Sequence, residues 1–307
     1  MRILVTGGAG FIGGNLCRVL VDRGVDVVVL DDLSSGDRGN LDGLPVDLRI
    51  GSILHPTVLD DVCTEVDSIV HLAALASVPL SLDNPAATHA VNATGTLQVL
   101  DAARRTGAYV VVASSSAVYG DDPSARKRES LAPRPLSPYA VSKLATEAYA
   151  TAYQSCFGLP TLAFRFFNVF GPLQPANHVY AAVVPAFISA ALAGKPLTIY
   201  GDGEQTRDFV YVGTVAALLA EAAMERRTHS SPVNLALGAQ TTVLELIALL
   251  EKVLGMPLDR QHLPSRLGDI RDSCADDGAL KALFPALAPV ALEEGLAKTV
   301  EWFRSLG

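Results

Sequence analysis

A glycine-rich loop near the start of the chain most constrains what the sequence can fold into. A short apolar run, residues 3–6, leads into residues 7–13 (GGAGFIG), and a helical pattern continues from Gly13 to Arg23. Gly7, Gly10 and Gly13 allow a tight turn, a close approach of backbone to a pyrophosphate, and close packing of helix on strand. Free N–H groups and the dipole at the helix N-terminus favour phosphate. The loop predicts a dinucleotide site; the alternative is a tight turn with no ligand.

An aspartate at the end of the second predicted strand bears on which dinucleotide would bind. Residues 25–30 form a β-branched apolar run, and Asp31 follows it directly. A carboxylate in this place accepts hydrogen bonds from both ribose hydroxyls and repels a 2′-phosphate, which favours NAD over NADP. Arg38 lies close by in the sequence and keeps NADP open as an alternative.

The rest of the N-terminal half alternates short buried strands with longer amphipathic helices. The predicted strands are residues 3–6, 25–30, 48–50, 68–72, 109–114 and 161–167, and the predicted helices include 13–23, 92–106 and 138–157. Continuous apolar strands separated by helices imply a parallel sheet covered on both faces. Right-handed crossovers then give an α/β fold with a doubly wound sheet.

The pattern changes after Gly171-Pro172, where loop-like residues precede a predicted helix over 180–194. Residues 233–237 are apolar enough to return to the sheet as a further strand, and the remainder is helical. We expect a dinucleotide-binding domain over 1–171, rejoined by 208–238. Residues 172–207 and 239–307 would form a smaller, mostly helical substrate-binding domain.

Composition excludes several classes of function. The chain of 307 residues carries a formal net charge of -8 and no cluster of Lys and Arg, which argues against nucleic acid as a partner. No apolar run reaches the roughly 20 residues that span a bilayer. The loop follows the first residues so directly that we expect no signal peptide. Four scattered cysteines, with no ligand-like spacing, predict no metal site and a reducing, cytoplasmic location.

A tyrosine and a lysine lie one helical turn apart in residues 137–143 (SPYAVSK). Ser137 is a good N-cap and Pro138 a good first helical residue, so Tyr139 and Lys143 would share one face. A free tyrosine titrates near pH ~10, and a cation beside it favours the phenolate. The pair is a candidate proton-transfer device, although such pairs on a helix are more often simple surface residues.

Taken in order, the motifs resemble those of the extended short-chain dehydrogenase/reductase family. The N-terminal motifs are Gly7-x-x-Gly10-x-x-Gly13, Asp31, residues 71–74 (HLAA), Asn92, residues 114–120 (SSSAVYG) and Tyr139-x-x-x-Lys143. Residues 165–172 (RFFNVFGP), 180–185 (YAAVVP), 201–208 (GDGEQTRD) and 266–269 (RLGD) are similar to the nucleotide-sugar 4-epimerases of that family. The likeness covers nearly the whole chain and implies a Rossmann fold with NAD as cofactor.

The resemblance implies roles for the catalytic and cofactor-binding residues. Tyr139 would be the acid and base at the sugar O4, Lys143 would lower its pKa and hold the nicotinamide ribose, and Ser115 would share the proton path. The residues expected at NAD are Gly7, Gly10, Phe11, Ile12, Gly13, Asp31, Asp32, Ser35, Gly36, Ser52, Ile53, Leu72, Ala73, Ala74, Asn92, Ser114, Tyr139, Lys143 and Phe166.

The resemblance also implies a binding site for uridine diphosphate. Arginine suits this task because its planar fork makes bidentate contacts to phosphate, whereas a lone arginine is more often in a surface ion pair. The residues expected at the substrate are Ser77, Val78, Ser115, Ser116, Tyr139, Asn168, Val183, Tyr200, Arg207, Arg266, Asp269 and Ser273. Arg271 is a weaker candidate, and Asp202 and Asp208 are expected to be partners of the arginines.

Three parts of the sequence depart from the family pattern, and they bear in turn on the reaction, the cofactor contact and the substrate. Dehydratases of the family have an Asp-Glu pair where this chain has Ser116 and Ala117, and decarboxylases have a Glu at the second position. Ser52 replaces the aspartate usual at adenine, which would weaken that contact. Ser273 matches the position beside the sugar C2 substituent, and a small residue there leaves room for an acetamido group.

The sequence therefore predicts an NAD-dependent C4 epimerase of UDP-hexoses, with UDP-GlcNAc and UDP-GalNAc preferred and UDP-Glc and UDP-Gal also possible substrates. The alternatives are a UDP-glucuronate 4-epimerase, a 4-reductase or a dehydratase, and a non-catalytic NAD-binding regulator on the same fold. The resemblance implies a homodimer formed through the helices that start near Asn92 and Pro138.

Overall fold

The computed structural model describes residues 1–176, 182–265 and 271–306. The strands are β1 (Arg2–Thr6), β2 (Asp26–Asp31), β3 (Asp47–Ile50), β4 (Ser68–His71), β5 (Tyr109–Ser115), β6 (Thr161–Phe166), β7 (Asn168–Phe170), β8 (Leu197–Tyr200), β9 (Thr206–Arg207), β10 (Phe209–Tyr211), β11 (Val233–Leu235), β12 (Thr241–Thr242), β13 (Arg260–Leu263) and β14 (Asp272–Ser273). The α-helices are α1 (Phe11–Asp22), α2 (Pro56–Val62), α3 (Val78–Asp83), α4 (Pro85–His89), α5 (Gly95–Thr106), α6 (Pro138–Phe157), α7 (Val183–Leu192), α8 (Val212–Glu225), α9 (Val243–Leu254), α10 (Gly278–Leu283) and α11 (Leu292–Ser305).

A seven-stranded sheet forms the centre of the N-terminal region, in the order β11-β6-β5-β4-β1-β2-β3. Every neighbouring pair in it is parallel. This confirms the predicted doubly wound parallel sheet. The strand predicted over 233–237 is β11, which pairs with β6, so the chain does return to the sheet. The division into two domains remains a prediction.

Two apolar layers cover the sheet because successive side chains of a buried strand point to opposite faces. On β1, Ile3 and Val5 join the cluster beneath α1 and α8. Leu4, between them, joins the opposite cluster beneath α2, α5 and α6. Side chains buried on both faces explain why the strands read as continuous apolar runs.

Helix α6 carries the Tyr and Lys pair and begins where the sequence predicts. The Ser137 hydroxyl accepts a hydrogen bond from the Ala140 N–H at 3.1 Å, and Pro138 is the first helical residue. Gly158 ends the helix with a φ of 67°, a conformation that glycine adopts at little cost. The predicted bounds, 138–157, are confirmed.

The C-terminal region packs around a third apolar cluster between α7, α9 and α11. Short strands complete it: β9 lies between β12 and β14, and β8 pairs with β13. The helix predicted over 180–194 is α7, and residues 180 and 181 lie outside the described residues. Within the described ranges, no helix is long and apolar enough to cross a membrane.

Candidate active site

A cavity of about 550 Å³ opens at the carboxyl ends of β1, β2, β4 and β5. This is the edge at which ligands of doubly wound sheets bind. Many of the residues predicted at NAD line it: Gly7, Gly10, Phe11, Ile12, Gly13, Asp31, Asp32, Ser35, Gly36, Ile53, Leu72, Ala73, Ala74, Ser114, Tyr139, Lys143 and Phe166. Arg38, whose position left NADP open, is not among the lining residues.

The glycine loop is built so that no side chain fits in its turns. Gly7 has a φ of +71°, and a Cβ there would lie 2.7 Å from the Ala73 nitrogen. A Cβ on Gly13 would collide with the Gly7 carbonyl oxygen. Gly10 is the N-cap of α1 and offers no side-chain acceptor to the first N–H groups of the helix. These groups face the cavity, which fits the pyrophosphate of a dinucleotide.

Asp31 is buried at the end of β2, and its carboxylate shapes the cavity edge. One oxygen accepts from the Ala9 N–H at 2.9 Å and the other from the Leu33 N–H at 2.9 Å. Burial raises the pKa of this carboxyl, and the two N–H bonds oppose the rise. Its position beside the glycine loop fits ribose hydroxyls, which can donate to the remaining lone pairs.

The structure brings the three predicted catalytic residues together at the end of β5. Tyr139 and Ser115 line the same cavity, and Lys143 donates from Nζ to the Ala113 carbonyl oxygen at 2.8 Å. The Ser115 hydroxyl accepts from the Ala117 N–H at 3.2 Å. A hydroxyl, a phenol and an ammonium group in one cavity can move a proton to or from a bound alcohol.

The pKa directions at this cluster correct one expectation. Burial raises the pKa of Tyr139, and the Ser115 hydroxyl only partly opposes this rise. The sequence predicted a lowered pKa, but desolvation of the phenolate outweighs the opposing effect of the Ser115 hydroxyl. Burial also lowers the pKa of Lys143 to about 8, because the ammonium group has been removed from water.

A buried ion pair that sequence reasoning missed lies directly behind the cluster. Glu147 Oε1 accepts from Arg165 Nη2 at 2.6 Å and Oε2 accepts from Arg165 Nε at 2.9 Å. Oε2 also accepts from the Ser114 hydroxyl at 2.7 Å. The pair joins α6 to the ends of β5 and β6. The sequence feature that could have indicated Glu147 is its helical spacing from Tyr139 and Lys143, which places all three residues on one side of α6.

Two residues predicted at NAD lie outside the cavity wall. Asn92 is buried behind it, where it accepts from the Leu75 N–H at 2.8 Å and donates to the Leu75 carbonyl and the Ser142 hydroxyl. Its amide is thereby used to hold the Leu75 backbone. The Ser52 hydroxyl accepts from the Leu54 N–H at 3.2 Å, as expected of serine in a turn.

Of the residues predicted at the substrate, Ser115, Tyr139 and Asn168 line the cavity. The others that the structure describes do not: Ser77, Val78, Ser116, Val183, Tyr200, Arg207 and Ser273. Ser77 instead caps α3, where it accepts from the Leu80 N–H. Arg266 and Asp269 lie outside the described residues.

The short strands place two of these residues together. Arg207 on β9 is in register with Ser273 on β14. Arg207 donates from Nη1 to the Thr206 carbonyl at 2.8 Å, and Arg271 pairs with Asp202 at 3.4 Å. Asp202 is thus the partner of an arginine, as expected, whereas the Asp208 carboxylate receives hydrogen bonds from backbone N–H groups.

Further cavity residues went unpredicted, and apart from Ser34 and Gln174 they are apolar or glycine, which carry little sequence signal. They are Leu30, Ser34, Gly51, Leu75, Ala76, Val91, Ala113, Phe167, Val169, Gln174, Pro175 and Ala182. No cluster of metal-ligating side chains occurs among the residues that the structure describes.

The doubly wound sheet, the glycine cradle and the Ser–Tyr–Lys cluster define an enzyme that uses a nicotinamide dinucleotide. The sequence profile of the NAD dependent epimerase/dehydratase family matches residues 3–236. The chain belongs to this family, and NAD is its cofactor. The resemblance to the extended short-chain dehydrogenases/reductases is thereby confirmed.

Three relatives are similar over the full chain. UDP-glucose 4-epimerase of Mycolicibacterium smegmatis is 38% identical over 99% of both chains. The solved UDP-N-acetylglucosamine 4-epimerase of Methanobrevibacter ruminantium, in complex with UDP-N-acetylmuramic acid, is 38% identical with a TM-score of 0.94, covering 100% of this chain and 99% of that one. UDP-glucose 4-epimerase of Thermus thermophilus, in complex with NAD, is 36% identical with a TM-score of 0.90 and covers 100% of both chains.

Proposed function

We propose that the protein interconverts the C4 epimers of a UDP-hexose, with UDP-GlcNAc and UDP-GalNAc as the preferred pair. UDP-Glc and UDP-Gal are the second pair. The observation that carries the proposal is the cluster of Ser115, Tyr139 and Lys143 in the NAD cavity, with Ser116 and Ala117 next to it. This set can move a proton at a sugar hydroxyl but has no carboxyl group at the elimination positions.

The chain's own residues account for the proton transfer and for the geometry. Tyr139 takes the O4 proton as C4 is oxidised and returns it when C4 is reduced, and Ser115 lies beside it in the same cavity. NAD, held by the glycine loop and Asp31, would supply the hydride acceptor and donor for C4, and the positive charge of its ring would favour the phenolate. The cation of Lys143, fixed to Ala113, acts in the same direction.

Epimerisation also requires that the 4-keto sugar present its other face before the hydride returns. The protein must therefore hold the nucleotide firmly and the hexose loosely. Asn168 in the cavity and Arg207 on β9 are suited to the nucleotide end, because amide and guanidinium groups make directional bonds to it. The hexose end would then lie toward Ser115 and Tyr139, which line the same cavity.

The preference for acetamido sugars rests on the small side chain of Ser273. It lies on β14 beside Arg207, so a sugar whose diphosphate contacts Arg207 would have its C2 substituent near Ser273. The relative from Methanobrevibacter ruminantium bears the name of a UDP-N-acetylglucosamine 4-epimerase, which supports the same choice.

The active protein is proposed to be a cytoplasmic homodimer. Val141 and Tyr149 on α6, one of the two helices expected to form the dimer, are 50% and 38% exposed. Cys17, Cys63 and Cys274 are buried free thiols, as suits a reducing compartment. Light scattering on the purified protein tests the dimer, and a monomeric mass would contradict it.

The test of the proposed function is a panel of separate incubations with UDP-GlcNAc, UDP-Glc and UDP-glucuronate, without added NAD or NADH. Products are then resolved by chromatography against authentic epimers. We expect UDP-GalNAc from UDP-GlcNAc and slower formation of UDP-Gal from UDP-Glc. Conversion of UDP-glucuronate alone would assign the alternative substrate, and a failure to convert any of the three would refute an epimerase.

A further inference from the structure

Asp208 is a fully buried carboxylate that receives its hydrogen bonds from backbone. Its side chain is 0% exposed. Oδ1 accepts from the Leu237 N–H at 3.0 Å, and Oδ2 accepts from the Gly238 N–H at 2.9 Å and the Ala275 N–H at 3.3 Å. Burial raises the pKa of this carboxyl to about 6, and the converging N–H donors oppose that rise.

These donors come from two segments that flank one strand. Leu237 and Gly238 precede β12, and Ala275 follows β14. Strand β9 lies between β12 and β14 and ends at Arg207, the residue before Asp208. A single carboxylate therefore ties both outer strands of this small sheet to its central strand.

The backbone of Asp208 reaches a third element. Its carbonyl oxygen accepts from the Asn168 N–H at 3.2 Å and from Asn168 Nδ2 at 3.2 Å. The second bond orients the amide of Asn168, which lines the cavity. Asp208 thus adjoins Arg207, orients Asn168 and, through Ala275, fixes the strand that carries Ser273.

We propose that Asp208 is a positioning residue for the substrate-binding site. It holds Asn168, Arg207 and Ser273 in one arrangement. This inference rests on the proposed function, because those three residues belong to the proposed substrate-binding site. Only an acceptor fills the role: an asparagine would turn an NH₂ group toward converging N–H donors. The residues that cradle NAD take no part in these bonds.

The variant Asp208→Asn tests the role. We expect retention of bound NAD, a kcat within about threefold of wild type, and a KM for UDP-GlcNAc raised at least tenfold. A merely structural role would lower the yield or the NAD content and leave KM of the folded fraction unchanged, which would overturn the proposal.

Asp277→Asn is the matched control. Asp277 lies near Gly238, at 3.2 Å from where a Cβ would stand, and pairs with Lys281 on the surface of α10. The variant removes the same charge at nearly the same place without touching the N–H donors. We expect its KM to stay within twofold of wild type; an increase equal to that of Asp208→Asn would overturn the specific role of Asp208.

A measurement on the unaltered enzyme covers the case in which Asp208→Asn does not fold. Hydrogen exchange of residues 206–208, 237–239 and 272–275 is followed with and without UDP-GlcNAc. If the Asp208 carboxylate joins these segments to the substrate-binding residues, hydrogen exchange should slow in all three segments when UDP-GlcNAc binds. Protection confined to residues 206–208 would overturn the proposal.

Calorimetric binding of UDP-GlcNAc separates the two levels of the claim, because binding does not depend on which reaction follows. Wild-type protein that binds the nucleotide sugar but leaves it unchanged would refute the proposed function alone. Asp208→Asn protein that binds as tightly as wild type would refute the role of Asp208 alone.

Discussion

Lys143 Nζ donates to the carbonyl oxygen of Ala113 at 2.8 Å, across the gap between α6 and the end of β5. The lysine is 6% exposed, and burial lowers its pKa to about 8. Ala113 stands two residues before Ser115 on the same strand. The bond therefore fixes the helix that carries Tyr139 against the strand that carries Ser115.

Replacing this lysine is expected to stabilise the NAD-free protein at neutral pH. The unfolded chain binds the lysine proton more tightly than the folded chain, so a protonated Lys143 costs up to about 3 kcal/mol of the free energy of unfolding below pH 8. Loss of the hydrogen bond to Ala113 lowers the free energy of unfolding by about 1 kcal/mol and so offsets part of this gain. The free energy of unfolding of Lys143→Met, measured by urea denaturation at pH 7, should therefore exceed that of wild type by about 2 kcal/mol.

The pH dependence gives the sign of the effect. The cost disappears as pH rises from about 8 toward the unfolded value near ~10.4, where the folded lysine is already neutral. The gain of Lys143→Met over wild type should shrink over that window. A gain that is the same at pH 7 and pH 10 would show that burial of the charge is not its cause.

Tyr139→Phe should abolish most turnover while leaving the cofactor in place. The phenol is the proton carrier at O4, and removal of a general acid and base costs on the order of 10²–10⁴-fold in kcat. NAD content, measured by absorbance after denaturation, should equal that of wild type. Tyr149→Phe is the control: Tyr149 is on the same helix but 38% exposed, and its loss should leave kcat unchanged. Near-wild-type turnover of Tyr139→Phe would remove Tyr139 from the mechanism.

Glu147→Gln should destabilise the protein strongly, because it leaves the buried guanidinium of Arg165 without its anion. Both side chains are 4% exposed. Breaking such a pair costs about 3–5 kcal/mol, whereas replacing both partners is far less costly. The double variant Glu147→Gln with Arg165→Met should recover most of the loss in urea denaturation. Equal stability of the single and double variants would contradict a coupled pair.

Gly13→Ala should yield protein with little or no bound NAD. A Cβ at this position collides with the Gly7 carbonyl and deforms the loop that receives the pyrophosphate. Gly24→Ala is the control: its φ of +73° makes alanine cost about 1 kcal/mol, but nothing lies within 4 Å of the new carbon. Its NAD content should match wild type. Equal NAD content in both variants would mean that the loop does not cradle the cofactor.

The sheet and the catalytic helix could be predicted because local chemistry determines both. Strands β1, β2, β4, β5 and β6 are buried on both faces and read as apolar runs, and α6 has its own cap, first proline and terminal glycine. The cavity residues with strict steric needs, Gly7 and Gly13, were predictable for the same reason.

The remainder depends on contacts between distant parts of the chain. Strands β9, β12 and β14 have two residues each, too few to show a periodic pattern. The N–H groups that surround Asp208 come from residues 237, 238 and 275, so an arginine partner was a reasonable but wrong expectation. The raised pKa of Tyr139 is likewise a consequence of burial in the folded chain.

The most direct test of the central claim follows a deuterium label at C4. UDP-GlcNAc and UDP-Glc, each deuterated at C4, are incubated separately with the purified enzyme and no added cofactor, and the products are examined by NMR. Because the hydride is taken and returned at the same bound NAD, we predict the C4 epimer with deuterium retained at C4. Loss of the label to solvent, or a product lacking water or carbon dioxide in place of the epimer, would contradict the account.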